Sequence, residues 1–435
     1  MTIGIGLLGL GTVGAGVASI LGSPEGRHPL VADLRLRRVA VRDLHRPRAL
    51  QLAEGVLCQA PEAVVDDPSV DIVVEVMGGL EPARSLILRA IAAGKSVVTA
   101  NKAVIARHGE EIAAAAAERG VYVLIEAAVG GGIPIIEPLK QSLGGNRIQR
   151  VSGIINGTTN YILSRMAGDG AAYAEVLADA QRLGYAEADP TADVQGGDAA
   201  DKIAILTGLA YGGRVPRGAI PTEGIDQLDA RDVAYAARLG YVVKLLAVAE
   251  HLGSTDGEEL LDVAVHPTLL PRDHPLAGVN GVNNAILVEG DPVGQVMFYG
   301  PGAGAGPTAS AVVADILNIA GIRQATGGQP AAGLDPLLAA GSWRRCSLVD
   351  SAQSRHRNYV RLQAGDEPGV IGKIGTCFGE AGVSIQSIVQ FDATAAGAEI
   401  VVITHEVAEG RFRHALSGIA ALPEVQAVAA SLRAL

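Results

Sequence analysis

Residues 3–21 read IGIGLLGLGTVGAGVASIL. Ile3 to Leu8 is a short apolar run, Gly9-Leu10-Gly11-Thr12-Val13-Gly14 breaks it, and Ala15 to Leu21 resumes with helical character. In this strand, turn and helix context each glycine has a physical reason: a tight turn at Gly9, close backbone approach to a pyrophosphate at Gly11, and helix-on-strand packing at Gly14. A dinucleotide's phosphates would then sit at the helix N-terminus, where unbonded N–H groups and the helix dipole favour anions. The competing reading is a plain glycine-rich turn. The placement directly after a strand, opening a helix, argues against it.

Working outward, Arg38 to Val41, Ile72 to Val76, Ser96 to Thr99 and Val121 to Ile125 read as further strands. Between them lie alanine-rich helical stretches, notably Pro82 to Ala93 and Gly109 to Gly120. Strands apolar on both faces that alternate with helices predict an α/β, doubly wound parallel sheet of the Rossmann type. Near Ala127 the pattern changes. Glycine-rich and polar segments lead to helical Tyr173 to Leu183, an acidic loop, the helix Asp198 to Ala210, and strands at Leu261 to Val265 and Ala285 to Glu289, which together predict an α+β second domain. Gly300 to Gly306 and helical Thr308 to Ala320 read as a return to the first domain. After a polar connection, Asp350 to Asn358, the tail reads strand, Pro-Gly turn, helix, strand, strand, helix, strand. The expected domains are 1–133 with 300–340, then 134–299, a linker at 341–357, and 358–435.

Composition bounds the function. At 435 residues the chain is long enough for several domains, and with 49% hydrophobic and 19% charged residues it is too apolar for the disordered class. A net charge of −11 without a basic run argues against nucleic acid and for a small-molecule partner. Cys58, Cys346 and Cys377 stand far apart, which disfavours a disulfide framework or a thiolate zinc site and suits a reducing cytoplasm. No basic n-region precedes the first strand and no apolar run of ~20 residues stands out, so neither secretion nor membrane spanning is expected. Only six of the 35 basic residues are lysine, which suggests that a lysine in this chain is there for a reason.

Four groups of residues carry chemistry. The second strand ends Val41-Arg42-Asp43, with His45, Arg46 and Arg48 beyond; a guanidinium there suits a 2′-phosphate and so NADP, while Asp43 keeps NAD open, and a solvated basic loop is the bland alternative. Lys102 follows the fourth strand, at the end of the sheet where such folds bind ligands; a surface lysine is the plain alternative, and the scarcity of lysine argues against it. The run Gly184 to Asp193, with Glu187, Asp189 and Asp193, feeds a helix on which Asp198 and Lys202 share a face. A surface i,i+4 ion pair would explain that spacing too, but the flanking Ile203, Ile205 and Leu206 are apolar, and apolar surroundings suit a lysine that gives and takes protons. Glu126 to Pro134 combines one carboxylate with glycines that expose carbonyls; this is either a turn or a hard-oxygen cage for an alkali or alkaline-earth cation.

Taken together, residues 9–14, Thr99-Ala100-Asn101-Lys102, Glu126 to Pro134, Asn156 to Tyr161, Gly184 to Lys202, His266-Pro267-Thr268, Asn284-Ala285 and Gly300 to Gly304 resemble homoserine dehydrogenase over nearly the whole chain. The tail, through Tyr359 to Gln363, Asp366 to Ile374 and Gly379 to Ile385, resembles an ACT domain of ferredoxin-like βαββαβ order. The resemblance implies NAD(P)-dependent interconversion of L-homoserine and L-aspartate 4-semialdehyde, a step toward threonine and methionine. It implies Lys202 as proton donor, Asp198, Glu187 and Gly184 around the substrate, and Lys102 and Gly302 at the cofactor beside Gly9, Leu10, Gly11, Thr12, Val13, Gly14 and Arg42. It also implies a structural sodium ion held by Glu126 and the carbonyls of Val129, Gly131 and Ile133, a homodimer or homotetramer, and for the tail either an amino-acid effector, often threonine, between paired copies or a dimerisation role alone.

Two rivals stand beside this reading. A non-catalytic sensor of dinucleotide and amino acid would have no use for Lys202 as proton donor. Another amino-acid or semialdehyde dehydrogenase working through a thiohemiacetal would want a cysteine at its centre, and all three cysteines lie outside the motifs.

Overall fold

Six parallel strands form the first sheet: β1 (Ile3–Leu8), β2 (Leu34–Ala40), β3 (Leu57–Cys58), β4 (Ile72–Glu75), β5 (Ser96–Thr99) and β6 (Val123–Leu124). Their spatial order is β3-β2-β1-β4-β5-β6, so the chain reverses direction across the sheet between β1 and β4. This is the doubly wound dinucleotide-binding order, and the reversal opens a crevice at the carboxyl ends of the strands. β1, β4 and β5 are buried throughout, as expected of central parallel strands covered on both faces. β3 escaped the sequence reading because two residues carry no periodicity.

The computed structural model describes residues 2–48, 50–327, 338–339, 341–394 and 397–435. Part of the expected returning segment, 328–337 and 340, lies outside the described residues. The chain divides into two compact units, Met1–Val151 with Asp201–Gly218 and Asn284–Cys346, and Ser152–Ala200 with Ala219–Asn283 and Ser347–Leu435.

In the first unit the helix Ala305–Ala325 returns to the sheet, and Val312, Ile316 and Ile319 join Ile5, Leu7, Val17, Val74 and Val98 in one core. It meets the helix Thr12–Gly22 so closely that a Cβ on Gly16 would stand 2.5 Å from the Ala305 carbonyl oxygen. By length and composition Ala305–Ala325 is apolar enough to cross a membrane, which the sequence reading did not anticipate; half of its apolar window is buried in the protein, as in a core helix.

In the second unit the long hairpin Tyr241–Thr255 and Glu258–Pro271 pairs antiparallel along its length. The tail contributes strands Arg355–Ala364, Ile385–Thr394, Gly397–Thr404 and Val425–Ala434, with helices Val370–Glu380 and Glu409–Ala420 packed over a core of Val360, Leu362, Phe378, Phe412 and Ile419. Its βαββαβ order is the one expected, with one two-residue strand added at Val407–Ala408. Val425–Ala434 also pairs in parallel with Glu258–Pro271, joining the tail's sheet to the hairpin. The stretch read as a linker contains a further strand, Arg345–Leu348.

A buried ion cluster pins the tail to the helix Ala230–Arg238. Arg361 donates to Asp232 from Nε (2.7 Å) and Nη2 (3.0 Å) and to Glu399 from Nη1 (3.0 Å), and the Tyr359 hydroxyl donates to Asp232 at 2.9 Å. Burial opposes charge on Arg361, and the hydrogen bonds and charge of Asp232 outweigh it, so its pKa is raised.

Candidate active site

Within the first unit the glycine turn has the geometry its spacing demands. Gly9 has φ +101°, and its N–H donates to the Ala40 carbonyl at 3.1 Å. A Cβ on Gly14 would stand 2.2 Å from the Gly9 carbonyl oxygen, so helix Thr12–Gly22 seats on the turn only because residue 14 is glycine. Gly11 caps that helix with no side-chain hydrogen bond, no acidic residue occupies its first turn, and a Cβ on Gly11 would meet nothing within 4 Å. The helix start therefore offers uncapped N–H groups beside open space, which fits a pyrophosphate.

A relay of hydrogen bonds runs from this turn to Lys102. Val76 packs against Gly9 and Gly14. Its neighbour Glu75, fully buried, accepts from the Met77 N–H (2.8 Å) and from the Thr99 hydroxyl (2.7 Å); Thr99 Oγ1 accepts from the Asn101 N–H (3.0 Å), and Asn101 Nδ2 donates to the Gly79 carbonyl (2.8 Å). Asn101 also caps the helix Lys102–Arg119 through its side chain, which fixes Lys102 as the first helical residue at the carboxyl end of β5.

Lys202 lies on Gly197–Tyr211, one residue from Asp201, and Asp201 accepts from Arg107 Nη1 at 3.1 Å and from Arg217 Nε at 2.7 Å. Arg107 belongs to the Lys102 helix, so this clamp holds the two lysine-bearing helices together. Lys202 is buried, as is Asp198 one turn earlier on the same face.

At the second strand's tip, Arg42 and Asp43 are exposed. Asp43 accepts from the His45 N–H at 2.8 Å, and Arg48 turns back onto the carbonyls of Leu44 (3.2 Å) and Arg46 (2.9 Å). Among the described residues nothing pairs with the guanidinium of Arg42 or of Arg46, which leaves both available at the tip.

Glu126 is buried and accepts three backbone N–H groups, from Ile135 (2.7 Å), Ile136 (2.9 Å) and Glu137 (2.7 Å). Burial pushes its pKa up against those bonds. Its own N–H donates to Asp315 at 2.8 Å, and burial together with the Glu126 charge raises the Asp315 carboxyl well above the usual carboxylate range. The carbonyls of Val129, Gly131 and Ile133 accept no hydrogen bond among the described residues. Gly302 sits against this loop: its carbonyl oxygen lies 2.3 Å from where a Cβ of Gly131 would be, and Gly132 donates to Pro301 at 3.1 Å.

In the second unit Asn156 organises the acidic loop. Its Nδ2 donates to Asp193 Oδ1 (2.7 Å) and Asp198 Oδ2 (3.0 Å), while its Oδ1 caps helix Gly157–Asp169. Thr158 donates to the Tyr185 carbonyl at 2.6 Å, and Gln181 to the Glu187 carbonyl at 3.1 Å, which brings the Gly184 to Glu187 loop to the same helix start. Gly184 has φ +76°, and Glu187 is exposed.

The structure thus groups the glycine turn with Lys102, the Lys102 helix with that of Lys202, the Gly302 turn with the Glu126 loop, and Asp198 with the Gly184 and Glu187 loop. Sequence reasoning missed Glu75, Asn156, Asp201 and Asp315 as organisers. Asn284 was missed too: it is buried beside Gly302 with both amide atoms unpartnered. A polar residue in an apolar run, such as Asp315 within Ala305–Ala325, was the available signal.

Family models match three stretches: "Homoserine dehydrogenase, NAD binding domain" at 9–126, "Homoserine dehydrogenase" at 134–317, and "ACT domain" at 358–424. The chain belongs to the homoserine dehydrogenase family. A homoserine dehydrogenase of Synechocystis is 58% identical over 435 residues, covering all of both chains. The crystal structure of one from Thiobacillus denitrificans superposes with a TM-score of 0.90 at 43% identity, covering 100% of this chain and 98% of that one. A hyperthermophilic archaeal homoserine dehydrogenase solved in complex with NADPH gives a TM-score of 0.59 at 28% identity over 73% of this chain and 98% of its own. The chain is accordingly an NAD(P)-dependent oxidoreductase acting on CH–OH groups, with a C-terminal ACT domain.

Proposed function

We propose that Lys202 is the proton donor and acceptor in the interconversion of L-homoserine and L-aspartate 4-semialdehyde, with Lys102 at the cofactor beside the reacting carbon. The bound nicotinamide supplies hydride chemistry; the protein positions and polarises. Reduction leaves charge on the aldehyde oxygen, and an ammonium beside it both stabilises that charge and delivers the proton. Asp198 and Glu187 hold the substrate's amino and hydroxyl ends, and Gly184 lines the same pocket. The observation that carries this reading is the Asp201 clamp, which fixes the Lys202 helix against the Lys102 helix through Arg107 and Arg217.

Gly9 to Gly14 cradle the pyrophosphate, Gly302 touches the cofactor again, and Arg42 reads a 2′-phosphate, so NADP is preferred and NAD is accepted. The archaeal relative's NADPH complex supports that preference. Glu126 and the carbonyls of Val129, Gly131 and Ile133 hold a structural sodium ion. Three buried-loop carbonyls without donors fit a hard cation, and three N–H bonds leave one of about four acceptor positions on the Glu126 carboxylate.

The working division of the chain is 1–133 with 300–340 for cofactor, 134–299 for substrate and dimerisation, 341–357 as linker and 358–435 as ACT module. The enzyme acts in the cytoplasm on the route to threonine and methionine. It is a homodimer or homotetramer, supported by Ile385–Thr394 standing as a sheet edge among the described residues, and threonine is its effector. Rates of NADPH and NADH oxidation with L-aspartate 4-semialdehyde test the reading; failure to oxidise either would overturn it.

A further inference from the structure

On the flank of the helices Lys102–Arg119 and Gly197–Tyr211 lies a cavity of about 500 Å³, lined among others by Arg107, Glu110, Ile205, Leu209, Arg214 and Val215. All of these residues belong to the first unit. None of the residues assigned above to cofactor, substrate or cation lines it.

Arg214 is the unusual group. Its side chain meets both helices at glycines: Nη1 lies 2.1 Å from where a Cβ of Gly109 would stand, and Cγ lies 3.7 Å from that of Gly208. Both glycines are inside helices, where glycine is less favourable than alanine, and at Gly109 a side chain would displace the guanidinium. Arg214 is half-buried, and among the described residues it has neither a hydrogen-bond acceptor nor a carboxylate within ion-pair distance. Burial pulls its pKa below the ordinary value, with the exposed Glu110 opposing from a distance. Two further guanidiniums, Arg107 and Arg217, line the cavity and share the oxygens of Asp201 at 3.1 and 2.7 Å. Ile105, Ile205, Leu209 and Val215 supply apolar wall. The cavity therefore offers a half-buried cation without an acceptor, in apolar surroundings, beside two cations that one carboxylate serves.

We propose that this cavity binds a small organic anion, its carboxylate or phosphate head on the Arg214 guanidinium and its apolar body against Ile105, Ile205, Leu209 and Val215. A charge-assisted bond to a guanidinium is strong where water is partly excluded, and the volume falls within the ~300–1,000 Å³ of ordinary small-molecule sites. Occupancy also reaches the lysines. Arg107 and Arg217 hold Asp201, the neighbour of Lys202, so an anion on Arg214 competes with Asp201 for them and loosens the clamp between the two helices. The ligand lowers turnover to the extent that it prefers the loosened arrangement. That consequence, unlike binding itself, rests on the reading of Lys202 as proton donor.

Isocaproate and phenyl phosphate, which join an anionic head to an apolar body, are the probes for the full chain. Acetate and inorganic phosphate test the head alone, and isocaproamide the uncharged body. Calorimetry reads affinity. Fluorescence of Trp343, the chain's only tryptophan, reads the site separately, because its indole rests on Gly212 and it follows the lining residue Ser342. The expected result is one site per chain for isocaproate or phenyl phosphate, with affinity about 10- to 100-fold lower in Arg214→Gln and for acetate and isocaproamide. Whichever probe binds tighter tells a carboxylate ligand from a phosphate ester. Ala106→Leu, which fills the cavity without changing charge, gives the same loss by an independent route, and thermal unfolding checks that both variants fold. Parent turnover falls as the site fills, and that of the two variants does not respond. Equal binding by the parent and both folded variants overturns the site, as does the absence of binding by either probe at about 10 mM. Binding that leaves turnover unchanged overturns the coupling to Lys202 and leaves the site standing.

Discussion

Lys244 presents an ammonium in the second unit that has only neutral acceptors. It is 2% exposed, and its Nζ donates to Asn160 Oδ1 (3.1 Å), Asn280 Oδ1 (3.1 Å) and the Val279 carbonyl, with no carboxylate in ion-pair range among the described residues. Burial lowers its pKa from 10.5 to about 8. At 1.36 kcal/mol per pH unit, keeping the group charged in the fold costs about 3 kcal/mol relative to the unfolded chain. Because the folded pKa lies below the unfolded one, the unfolded state binds more protons between them, so the penalty is complete below pH 8 and is relieved as pH rises toward 10.5. Lys244→Met removes the titration and leaves the acceptors unsatisfied, a loss of about 1–3 kcal/mol per group that is independent of pH. Urea unfolding of parent and variant at intervals from pH 7 to 10.5 should show the parent gaining about 3 kcal/mol on the variant, nearly all of it between pH 8 and 10.5. A difference that stays flat with pH would refute the reasoning, because it would mean that Lys244 titrates alike in both states.

Lys202→Ala is expected to lower kcat about 10²- to 10⁴-fold with NADPH binding intact by fluorescence, and turnover within a few-fold of the parent would remove the proton-donor assignment. Arg42→Ala should raise the KM for NADPH about tenfold or more and leave that for NADH unchanged; equal losses would make Arg42 structural. Asp232→Asn breaks the buried pair with Arg361 and should cost about 3 kcal/mol in urea unfolding, whereas a cost below about 1 kcal/mol would show that Glu399 and Asp229 suffice for the guanidinium.

The first sheet was legible because the central strands are short, mainly β-branched or leucine stretches buried on both faces, and because Gly9, Gly11 and Gly14 announce their own geometry. β2 was read four residues late. Arg35 and Arg37 reach solvent and interrupt its apolar pattern, so its first half looked like a loop. Of the hairpin, Tyr241–Thr255 was not read as a strand, and Glu258–Pro271 was read at less than half its length for a related reason: Glu258 and Glu259 stand in the stretch that precedes its buried centre. Short periodic windows find the buried middle of a long strand and lose its ends.

The scarcity of lysine proved informative beyond the residues it first pointed to. Lys95, Lys202 and Lys244 are buried, Lys140 nearly so and Lys102 half-buried, while Lys373 is the exposed exception. A compact ammonium with three donors on a long stem serves such positions; at Lys244 it reaches two amide oxygens and a carbonyl that a planar guanidinium could not meet together. The groups that organise the site left no such mark. Asn156, Asp201, Glu75 and Asp315 act through partners 16 to 189 residues away, so nothing within a local window distinguishes them from ordinary polar residues. Chemistry carried by a run such as 9–14 can be read in one dimension. A hydrogen-bond relay such as Glu75 to Thr99 to Asn101 exists only once β4 and β5 lie side by side, and it is that pairing which places Lys102 at the crevice.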